Sequence, residues 1–298
     1  MEIRTLKYFL TAVREGNISK AAEYLNLTQP NLSRQINILE RDIGHKLFER
    51  KHRNIELTPE GILLKKRAEE IIEMIEKTRS EFDFNDKIIA GDIFIGAGET
   101  WSMNLLASVM KDMQKDYPYI KYNIKSGNYQ DITEKLDSGL LDFAVLISPA
   151  DLSKYDYLKM PAKDIWGVIM RNDSKLAEKK NVTKNDLLNL PLIVSRQAVE
   201  DDIQNNYFMR WFGNSFNKLN IAATYNLSYN AMIMVIQGIG YALTLDKLIN
   251  NFNNSNVCFL PLKPKLESEI YIAWKKNHEF SKASKIFLNK INENFNIE

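Results

Sequence analysis

The side chains best suited to specific chemistry lie close together in a short stretch near the amino terminus. Arg34 carries the donor fork that pairs with guanine, and Asn31 and Asn37 offer the paired donor and acceptor that match adenine. Gln29 and Ser33 can reach phosphates or base edges. This is the chemistry of reading double-stranded DNA, and it requires a helix that presents these groups on an exposed face.

Three short helices would position these groups. Apolar residues recur at helical spacing over residues 3–13, and Gly16 ends this first helix. Ser19 is the expected cap of a second helix, and Thr28 is the expected cap of a third, which has Pro30 in its first turn. The apolar side of the third helix is made of Leu32, Ile36, Leu39 and Ile43. Two short helices joined by a tight turn predict a helix-turn-helix.

A basic hairpin is expected after the three helices. Residues 46–50 and 55–58 are short apolar-bearing stretches on either side of a polar tip. Arg50, Lys51 and Arg53 are placed to neutralise phosphates or to enter a narrow minor groove. The hairpin therefore predicts a wing. The alternative is an ordinary three-helix bundle with a solvated polar face, since such units are common.

The positive charge of the chain is concentrated in the same region. The chain has 298 residues and a net charge of +2. Residues 1–67 hold 13 lysines and arginines against 8 acidic residues, whereas residues 68–87 hold 3 against 7. The remaining residues hold 24 against 23. A basic excess confined to one small unit is the electrostatic footprint expected for phosphate binding.

One long helix is expected from Thr58 to about residue 86. Its apolar residues follow one another in alternating steps of four and three, which is the spacing of a heptad seam. The seam residues are Leu64, Ala68, Ile71, Ile75, Thr78 and Phe82. Such a seam predicts a helix pair between two chains, and the alternative is that the stripe packs on its own domain.

The rest of the chain alternates strand-like and helical stretches, which predicts α/β units with largely parallel sheets. The strand-like stretches are residues 93–97, 122–125, 143–147, 165–170, 192–194 and 270–274. Helical stretches include residues 105–113, 132–136 and 203–212. The apolar run at residues 231–245 is too short and too interrupted to span a membrane, and we expect a buried helix followed by a strand.

Segments of the first sixty residues closely resemble the LysR-type transcriptional regulators at fixed spacing. They are residues 3–9, 19–25, 28–36, 39–40, 44, 47–50 and 57–61. The remaining chain has the length and element order of that family's effector-binding domain, so the resemblance covers all 298 residues. It implies a helix-turn-helix at residues 18–37, and DNA-contacting positions at Gln29, Pro30, Ser33, Arg34 and Arg53.

The resemblance also implies a domain organisation. A winged helix-turn-helix is expected over residues 1–58, a linker helix that pairs antiparallel with a second chain over 59–88, and an effector-binding domain over 89–298. The expected fold class is thus an N-terminal all-α winged helix-turn-helix with a long linker helix and a C-terminal α/β two-lobed, periplasmic-binding-protein-like domain. Lobe one is expected at about 89–162 and 267–298, and lobe two at about 163–266.

Lobes of this kind hold a small molecule at their strand ends, where helix N-termini offer free N–H groups. The residues expected there are Glu99, Thr100, Trp101, Gly127, Asn128, Ser148, Ser195, Arg196, Tyr229 and Thr244. Glu99 departs from the small or hydroxyl residue frequent at that family position, and it would repel an acidic effector unless Arg196 or another cation compensated. Trp101 indicates a cationic, aromatic or amide ligand. Glu99 has a second interpretation as a simple helix cap.

Signals for other kinds of site are absent from the sequence. There is no Ser/His/Asp set and no P-loop, and Gly96-Ala97-Gly98 lacks the further glycine of a dinucleotide fingerprint. Cys258 is the single cysteine, and the three histidines (His45, His52 and His278) lack ligand spacing. We therefore expect no catalytic residues, no metal and no cofactor.

The expected partners are double-stranded DNA with a pseudo-palindromic operator, an unidentified small-molecule effector and further copies of the chain in a homodimer or homotetramer. RNA polymerase is a further candidate. Because the amino terminus shows no secretion signal, we expect a cytoplasmic protein without a membrane partner, not an exported solute-binding protein. The competing interpretation is a cytoplasmic small-molecule-binding protein or enzyme that uses the two-lobed domain.

Overall fold

The computed structural model describes residues 1–51, 54–82, 89–196, 207–248 and 256–295. The chain divides into two compact units, Met1–Asp83 and Phe84–Glu298. Within the described residues, no helix combines the length and the apolar run needed to cross a membrane.

The first unit contains three short helices, a hairpin and a long helix. In chain order its elements are α1 (Ile3–Glu15), α2 (Ile18–Tyr24), α3 (Gln29–Ile43), β1 (Phe48–Lys51), β2 (Asn54–Leu57) and α4 (Pro59–Phe82). Strands β1 and β2 are antiparallel, with Phe48 opposite Leu57. The predicted winged helix-turn-helix with a long following helix is confirmed.

The helix ends follow local sequence signals, although Thr28, at the predicted N-cap position of α3, forms no side-chain cap hydrogen bond. Gly16 ends α1 in the left-handed region, at φ 62°, which glycine adopts without steric cost. Helix α2 is capped by Asn17 and not by Ser19 as predicted, because the Asn17 side-chain oxygen accepts bonds from the N–H groups of Ser19 and Lys20. The turn between α2 and α3 places Asn26 in the left-handed region as well, at φ 54°. Asparagine tolerates this conformation better than most residues.

The helices of the first unit enclose one apolar core. Leu6 and Phe9 from α1 and Leu32 and Leu39 from α3 are all buried to 2% exposure or less. The ring of Phe9 also contacts that of Phe48 at the start of the hairpin, with centroids 5.3 Å apart. This core fixes one side of α3 and leaves its opposite side in solvent.

Buried polar groups attach the hairpin to the core. The Glu40 carboxylate is buried and accepts a hydrogen bond from the backbone N–H of Leu47 at 3.0 Å. The Thr58 hydroxyl donates to the carbonyl oxygen of Lys46 at 2.7 Å and accepts from the N–H of Gly61 at 3.0 Å. Thr58 therefore caps α4 and closes the base of the hairpin with one side chain.

Part of the apolar stripe on helix α4 packs within its own unit. Ala68 is fully buried, and Leu64 and Ile71 pack against the core of the first unit. These three residues of the expected seam thus contact the core of their own unit, in which α1 lies against α4. Ile75 is half-buried, and the side chain of Phe82 lies outside the described residues.

The second unit alternates strands and helices. Its elements are β3 (Ala90–Ala97), α5 (Met103–Asp116), β4 (Tyr119–Ser126), α6 (Tyr129–Asp137), β5 (Phe143–Ile147), β6 (Tyr155–Arg171), β7 (Val182–Thr183), α7 (Lys184–Leu187), β8 (Leu192–Ser195), α8 (Tyr207–Phe212), β9 (Ile221–Tyr225), α9 (Ser228–Ile236), β10 (Tyr241–Leu245), β11 (Val257–Lys263), β12 (Glu267–Lys275) and α10 (Lys282–Phe295). Strand β5 is apolar throughout and buried over its first four residues, which is typical of a strand covered on both faces.

The strands form two lobes of similar design. In lobe one, β3 lies between β4 and β5 and runs parallel to both, and β12 is antiparallel to β5. In lobe two, β8 lies between β9 and β10 and runs parallel to both. Strand β6 is antiparallel to β10 on one side and to β11 on the other. The predicted two-lobed α/β fold is confirmed.

Strand β6 belongs to both lobes. Residues 155–165 pair with β12 in lobe one, whereas residues 166–171 pair with β10 and β11 in lobe two. At the junction, the N–H of Ile165 donates to Asp246 Oδ1 at 2.9 Å, and the N–H of Asp246 donates to the Ile165 carbonyl at 2.8 Å. Each lobe has its own apolar core. The junction in β6 is therefore one of two places where the chain passes between the lobes, and the other lies between β11 and β12.

Candidate nucleic-acid interface and ligand cleft

Helix α3 presents a polar outer face at its amino-terminal end. The exposed residues are Gln29, Pro30, Asn31, Arg34 and Asn37. Ser33 is half-buried, and its hydroxyl accepts a hydrogen bond from the Gln29 side-chain amide at 2.9 Å. Because Leu32 and Ile36 are buried between these positions, the polar residues face away from the core. The structure thus brings all six predicted residues of α3 into its first nine residues, and the amino-terminal part of this helix is the part that enters the major groove in a helix-turn-helix.

The hairpin tip lies at the end of β1 and β2. Arg50 and Lys51 occupy the last two positions of β1, opposite Ile55 and Asn54, although their side chains lie outside the described part of the chain. Arg53, the third predicted wing cation, also lies outside it. The backbone alone therefore places two of the three cations beside the tip of the hairpin.

A cavity of about 130 Å³ lies between the two lobes of the second unit. It is lined by residues at the carboxyl ends of β3, β4 and β5 in lobe one and of β8, β9 and β10 in lobe two. All six strands belong to the parallel portions of the sheets. The carboxyl edge of parallel strands is where α/β proteins hold ligands, so this cavity is the candidate ligand cleft.

Six of the ten residues predicted for the cleft line this cavity. They are Glu99, Gly127, Asn128, Ser148, Ser195 and Thr244. Each follows or lies near the end of a strand that the sequence pattern predicts, including Thr244 in β10, the strand expected at the end of residues 231–245. The structure brings these residues of both lobes to one cavity.

The other four predicted residues do not line the cavity. The Thr100 side chain is buried at the lobe junction, where its hydroxyl donates to the Asp164 carboxylate. Trp101 and Tyr229 are exposed, as is Arg196 at the end of β8. Residues that closely follow a strand in the chain can point away from the cleft, because the loop after the strand changes direction.

Sequence reasoning missed several residues that do line the cavity. Trp166, Phe208, Tyr225, Asn226 and Ser228 belong to this group. Three of these five follow or end β9, a strand at Ile221–Tyr225 with no apolar alternation strong enough to mark it. Recognising a third parallel strand between residues 212 and 228 would have identified them.

The cavity has a mostly apolar lining with several polar side chains and little charge. Its lining includes no Lys, Arg or His among the described residues, and Glu99 supplies the carboxylate. Burial raises the pKa of Tyr225 to about 12, and the charge of Glu99 also raises it, so the phenol is neutral at physiological pH. Its hydroxyl donates to the carbonyl oxygen of Leu243 at 2.7 Å. The arrangement can therefore bind an apolar body and offer hydrogen bonds around it.

The described residues offer little for a metal. Among them, no three His, Cys, Asp or Glu side chains lie close enough together to hold an ion. His278 lies 3.7 Å from the Asp142 carboxylate, and Ser284 donates to the same carboxylate at 3.3 Å. In this group the serine hydroxyl contacts the carboxylate and not the imidazole, which is not the arrangement that activates a serine nucleophile.

Comparison with family models matches both units. Residues 3–62 match the model described as "Bacterial regulatory helix-turn-helix protein, lysR family". Residues 89–296 match the model described as "LysR substrate binding domain". The second match alone spans more than half of the chain.

Individual proteins agree with the family models. The transcriptional regulator YvbU of Bacillus subtilis (strain 168) is 27% identical over 301 residues, with 100% of both chains covered. The regulator YtlI of the same organism is 29% identical over 296 residues, which cover 99% of this chain and 94% of that protein. A crystal structure of full-length CbnR complexed with its target DNA has a TM-score of 0.77 at 18% identity, covering 98% of this chain and 99% of that one. The last similarity shows the fold alone.

Proposed function

The chain belongs to the LysR family of bacterial transcriptional regulators, and from this premise we propose that it binds one pseudo-palindromic operator and changes that binding when a small molecule fills its cleft. Helix α3 reads base edges in the major groove, the hairpin contacts the backbone beside it, and the two-lobed unit is the sensor. The protein acts by binding and not by catalysis. Because its target is chromosomal DNA, it works in the cytoplasm.

The observation that carries the DNA-binding proposal is the division of α3 into two faces. Its inner face is buried in the core of the first unit through Leu32, Ile36 and Leu39. Its outer face offers the guanidinium of Arg34 and the carboxamides of Asn31 and Asn37 to solvent. These are the groups that pair with guanine and adenine in the major groove. An ordinary solvated helix needs no such set, and long acidic side chains are absent from the first half of α3.

We propose that two chains pair through the face of α4 that lies away from the core. Ile62 and Leu63 are 60% and 61% exposed at adjacent positions near the start of α4, and contiguous exposed apolar surface is a feature of interfaces. Two copies related by a two-fold axis would present two α3 helices to successive turns of DNA, which is the geometry that a pseudo-palindrome requires. The CbnR chain with its target DNA has this fold.

We propose that the effector binds in the cleft through the residues that line it from both lobes. In lobe one these are Glu99, Gly127, Asn128 and Ser148, and in lobe two Ser195, Tyr225, Asn226, Ser228 and Thr244. A molecule that contacts both groups stabilises one arrangement of the lobes about β6, which is how binding in the cleft reaches the rest of the chain.

Selection from a random duplex library tests the DNA-binding proposal. The full-length chain is mixed with random-sequence DNA duplexes, and bound duplexes are recovered, amplified and sequenced over several rounds at rising salt. We expect enrichment of one sequence with two similar half-sites in inverted orientation. A control protein with Asn31, Arg34 and Asn37 all changed to Ala should enrich no such sequence. Recovery of random sequence by the unmodified chain would contradict the proposal.

A thermal-shift screen tests the effector proposal. A small molecule that binds only the native state raises its unfolding temperature, so a metabolite collection is screened against the full-length chain and against Ser148→Trp, which fills the cleft. We expect at least one compound that raises the unfolding temperature of the unmodified chain and leaves that of the variant unchanged. Compounds that stabilise both proteins equally would point to a site outside the cleft.

A further inference from the structure

Helix α9 begins without a cap of its own. Its N-cap residue, Leu227, lies in the extended region at φ −125° and ψ 135°, and it forms no side-chain cap hydrogen bond. The first turn of a helix leaves backbone N–H groups without helical partners, and Ser, Thr, Asp or Asn usually supplies an oxygen for them. A leucine at this position therefore leaves the start of α9 in need of an acceptor from elsewhere.

That acceptor comes from the other lobe. The backbone N–H of Ser228, the first residue of α9, donates a hydrogen bond to the carboxylate of Glu99, which follows β3 in lobe one. The partial positive charge of a helix N-terminus favours an ionised carboxylate at this place. The Ser228 hydroxyl accepts a further bond from the Thr244 hydroxyl at 3.2 Å. Glu99 is thus a cap, but for a helix of lobe two and not for the helix that follows it in sequence.

A neighbouring side chain joins the same parts of the two lobes. The ammonium group of Lys247, which follows β10 in lobe two, lies 4.6 Å from the ring centroid of Trp101. A cation at this distance is attracted to the face of an indole ring. The loop after β3 therefore contacts lobe two through both Glu99 and Trp101.

The carboxylate of Glu99 also affects which ligands the cavity can bind. Among the described residues that line the cavity, Glu99 is the one with a carboxylate, and none is an Asp, Lys, Arg or His. A carboxylate ligand that entered would meet a like charge, and it would find the N–H of Ser228 already bonded. A cationic or uncharged ligand meets neither obstacle.

We propose that the Glu99 carboxylate occupies the place in the cleft that an anionic ligand would otherwise take. It lies at the anion-binding start of α9, holds the two lobes together, and restricts the effector to a cationic or uncharged molecule with an apolar body. The proposal depends on the proposed function in one respect, which is that the cleft is the effector site. The contact between the lobes requires neither DNA nor effector.

Chemical rescue tests the proposal in the full-length chain. Glu99→Ala removes the carboxylate and leaves space beside the Ser228 N–H. We expect a lower unfolding temperature of the second unit, which sodium acetate restores in part relative to sodium chloride at the same ionic strength, because acetate binds the vacated position in the native state. The unmodified chain should show no rise specific to acetate. Glu279→Ala removes an exposed carboxylate outside the cavity and is the matched control.

An acetate response of Glu99→Ala no larger than that of Glu279→Ala would overturn the proposal. Glu99→Gln supplies a second measurement, because it keeps the size of the side chain and removes only its charge. We expect benzoate to bind Glu99→Gln at least about ten-fold more tightly than it binds the unmodified chain, because the like charge in the cleft is gone. Equal benzoate affinities would contradict the proposal. Neither result depends on operator selection, so this proposal and the proposed function can fail separately.

Discussion

The Thr100 hydroxyl, near the start of α5, donates a hydrogen bond to the Asp164 carboxylate in β6, the strand shared by the two lobes. Ser102 donates to the other carboxylate oxygen at 3.1 Å. Asp164 is fully buried, and the next residue of the strand is held by Asp246. The crossing between lobes in β6 is therefore fixed by a buried carboxylate whose hydrogen bonds come from the loop that also carries Glu99.

This carboxylate makes the stability of the second unit depend on pH. Burial raises the pKa of Asp164, the charge of Asp246 raises it further, and the two hydroxyl bonds and Lys247 oppose the rise. Because the folded pKa lies above the unfolded value of about 3.9, the contribution of Asp164 to stability is fully present below about pH 4 and is lost as the pH rises through the folded pKa.

Asp164→Asn should remove this loss of stability with rising pH. The quantity to follow is the unfolding free energy of the unmodified chain minus that of Asp164→Asn. We expect this difference to fall as the pH rises from about 4 and then to become level. Denaturant unfolding across a pH series measures it. Asp112→Asn is the control, because Asp112 is exposed and its hydrogen bond to Lys115 lowers its pKa, which gives the opposite sign. A pH-independent difference for Asp164→Asn would contradict the prediction.

Local signals explain which parts of the fold could be predicted from sequence. Gly16, Pro30 and the apolar side of α3 act within a few residues, so the helix-turn-helix was predictable. The cleft was predictable where its strands were buried apolar runs, as with β5 before Ser148. It was not predictable at β9, where Ala222 and Ala223 give no alternation.

Contacts between distant segments explain what the sequence could not supply. The bond between Glu99 and Ser228 joins residues 129 positions apart, and no spacing rule relates them. The apolar stripe on α4 is ambiguous in a similar way. Its helical spacing predicts that Ala68 and Ile71 are buried, but it does not predict which surface buries them. In this chain that surface is partly α1 of the same unit.

Gly61 should be intolerant of any side chain. A Cβ at this position would lie 2.2 Å from the Leu47 carbonyl oxygen and 2.9 Å from a methyl group of Leu57. We expect Gly61→Ala to destabilise the first unit by about 1–3 kcal/mol, the usual cost of overpacking. Hydrogen exchange of amides in α1 and α3 of the full-length chain should increase, with the second unit unchanged. Glu60→Ala, at the exposed neighbouring position, should leave exchange in both units unaltered.

The exposed face of α4 should govern association of the chains. Ile62→Asp combined with Leu63→Asp places two charges in the proposed interface, and we expect sedimentation of the full-length protein to shift toward smaller species. Tyr24→Asp is the matched control, because Tyr24 is 62% exposed in the same unit but lies on α2. An unchanged distribution for the α4 variant would show that this face is not the contact.

Arg34 should carry sequence information. It is exposed in the second turn of α3, opposite the buried side made by Leu32, Ile36 and Leu39, where a guanidinium can form two hydrogen bonds with a guanine. We expect Arg34→Ala to weaken binding to the selected operator by about 1–3 kcal/mol and to change binding to scrambled DNA much less.

Fluorescence anisotropy at several salt concentrations measures both affinities. A lost base contact lowers operator affinity with little change in the slope of affinity against salt, whereas a lost phosphate contact reduces that slope and weakens both duplexes alike. Arg41→Ala is the control for charge, since Arg41 is an exposed arginine in the last turn of the same helix. Because this end of α3 lies away from the groove in a helix-turn-helix, we expect Arg41→Ala to leave the ratio of the two affinities unchanged. Equal losses on both duplexes for Arg34→Ala would make Arg34 a backbone contact and leave base reading to Asn31 and Asn37.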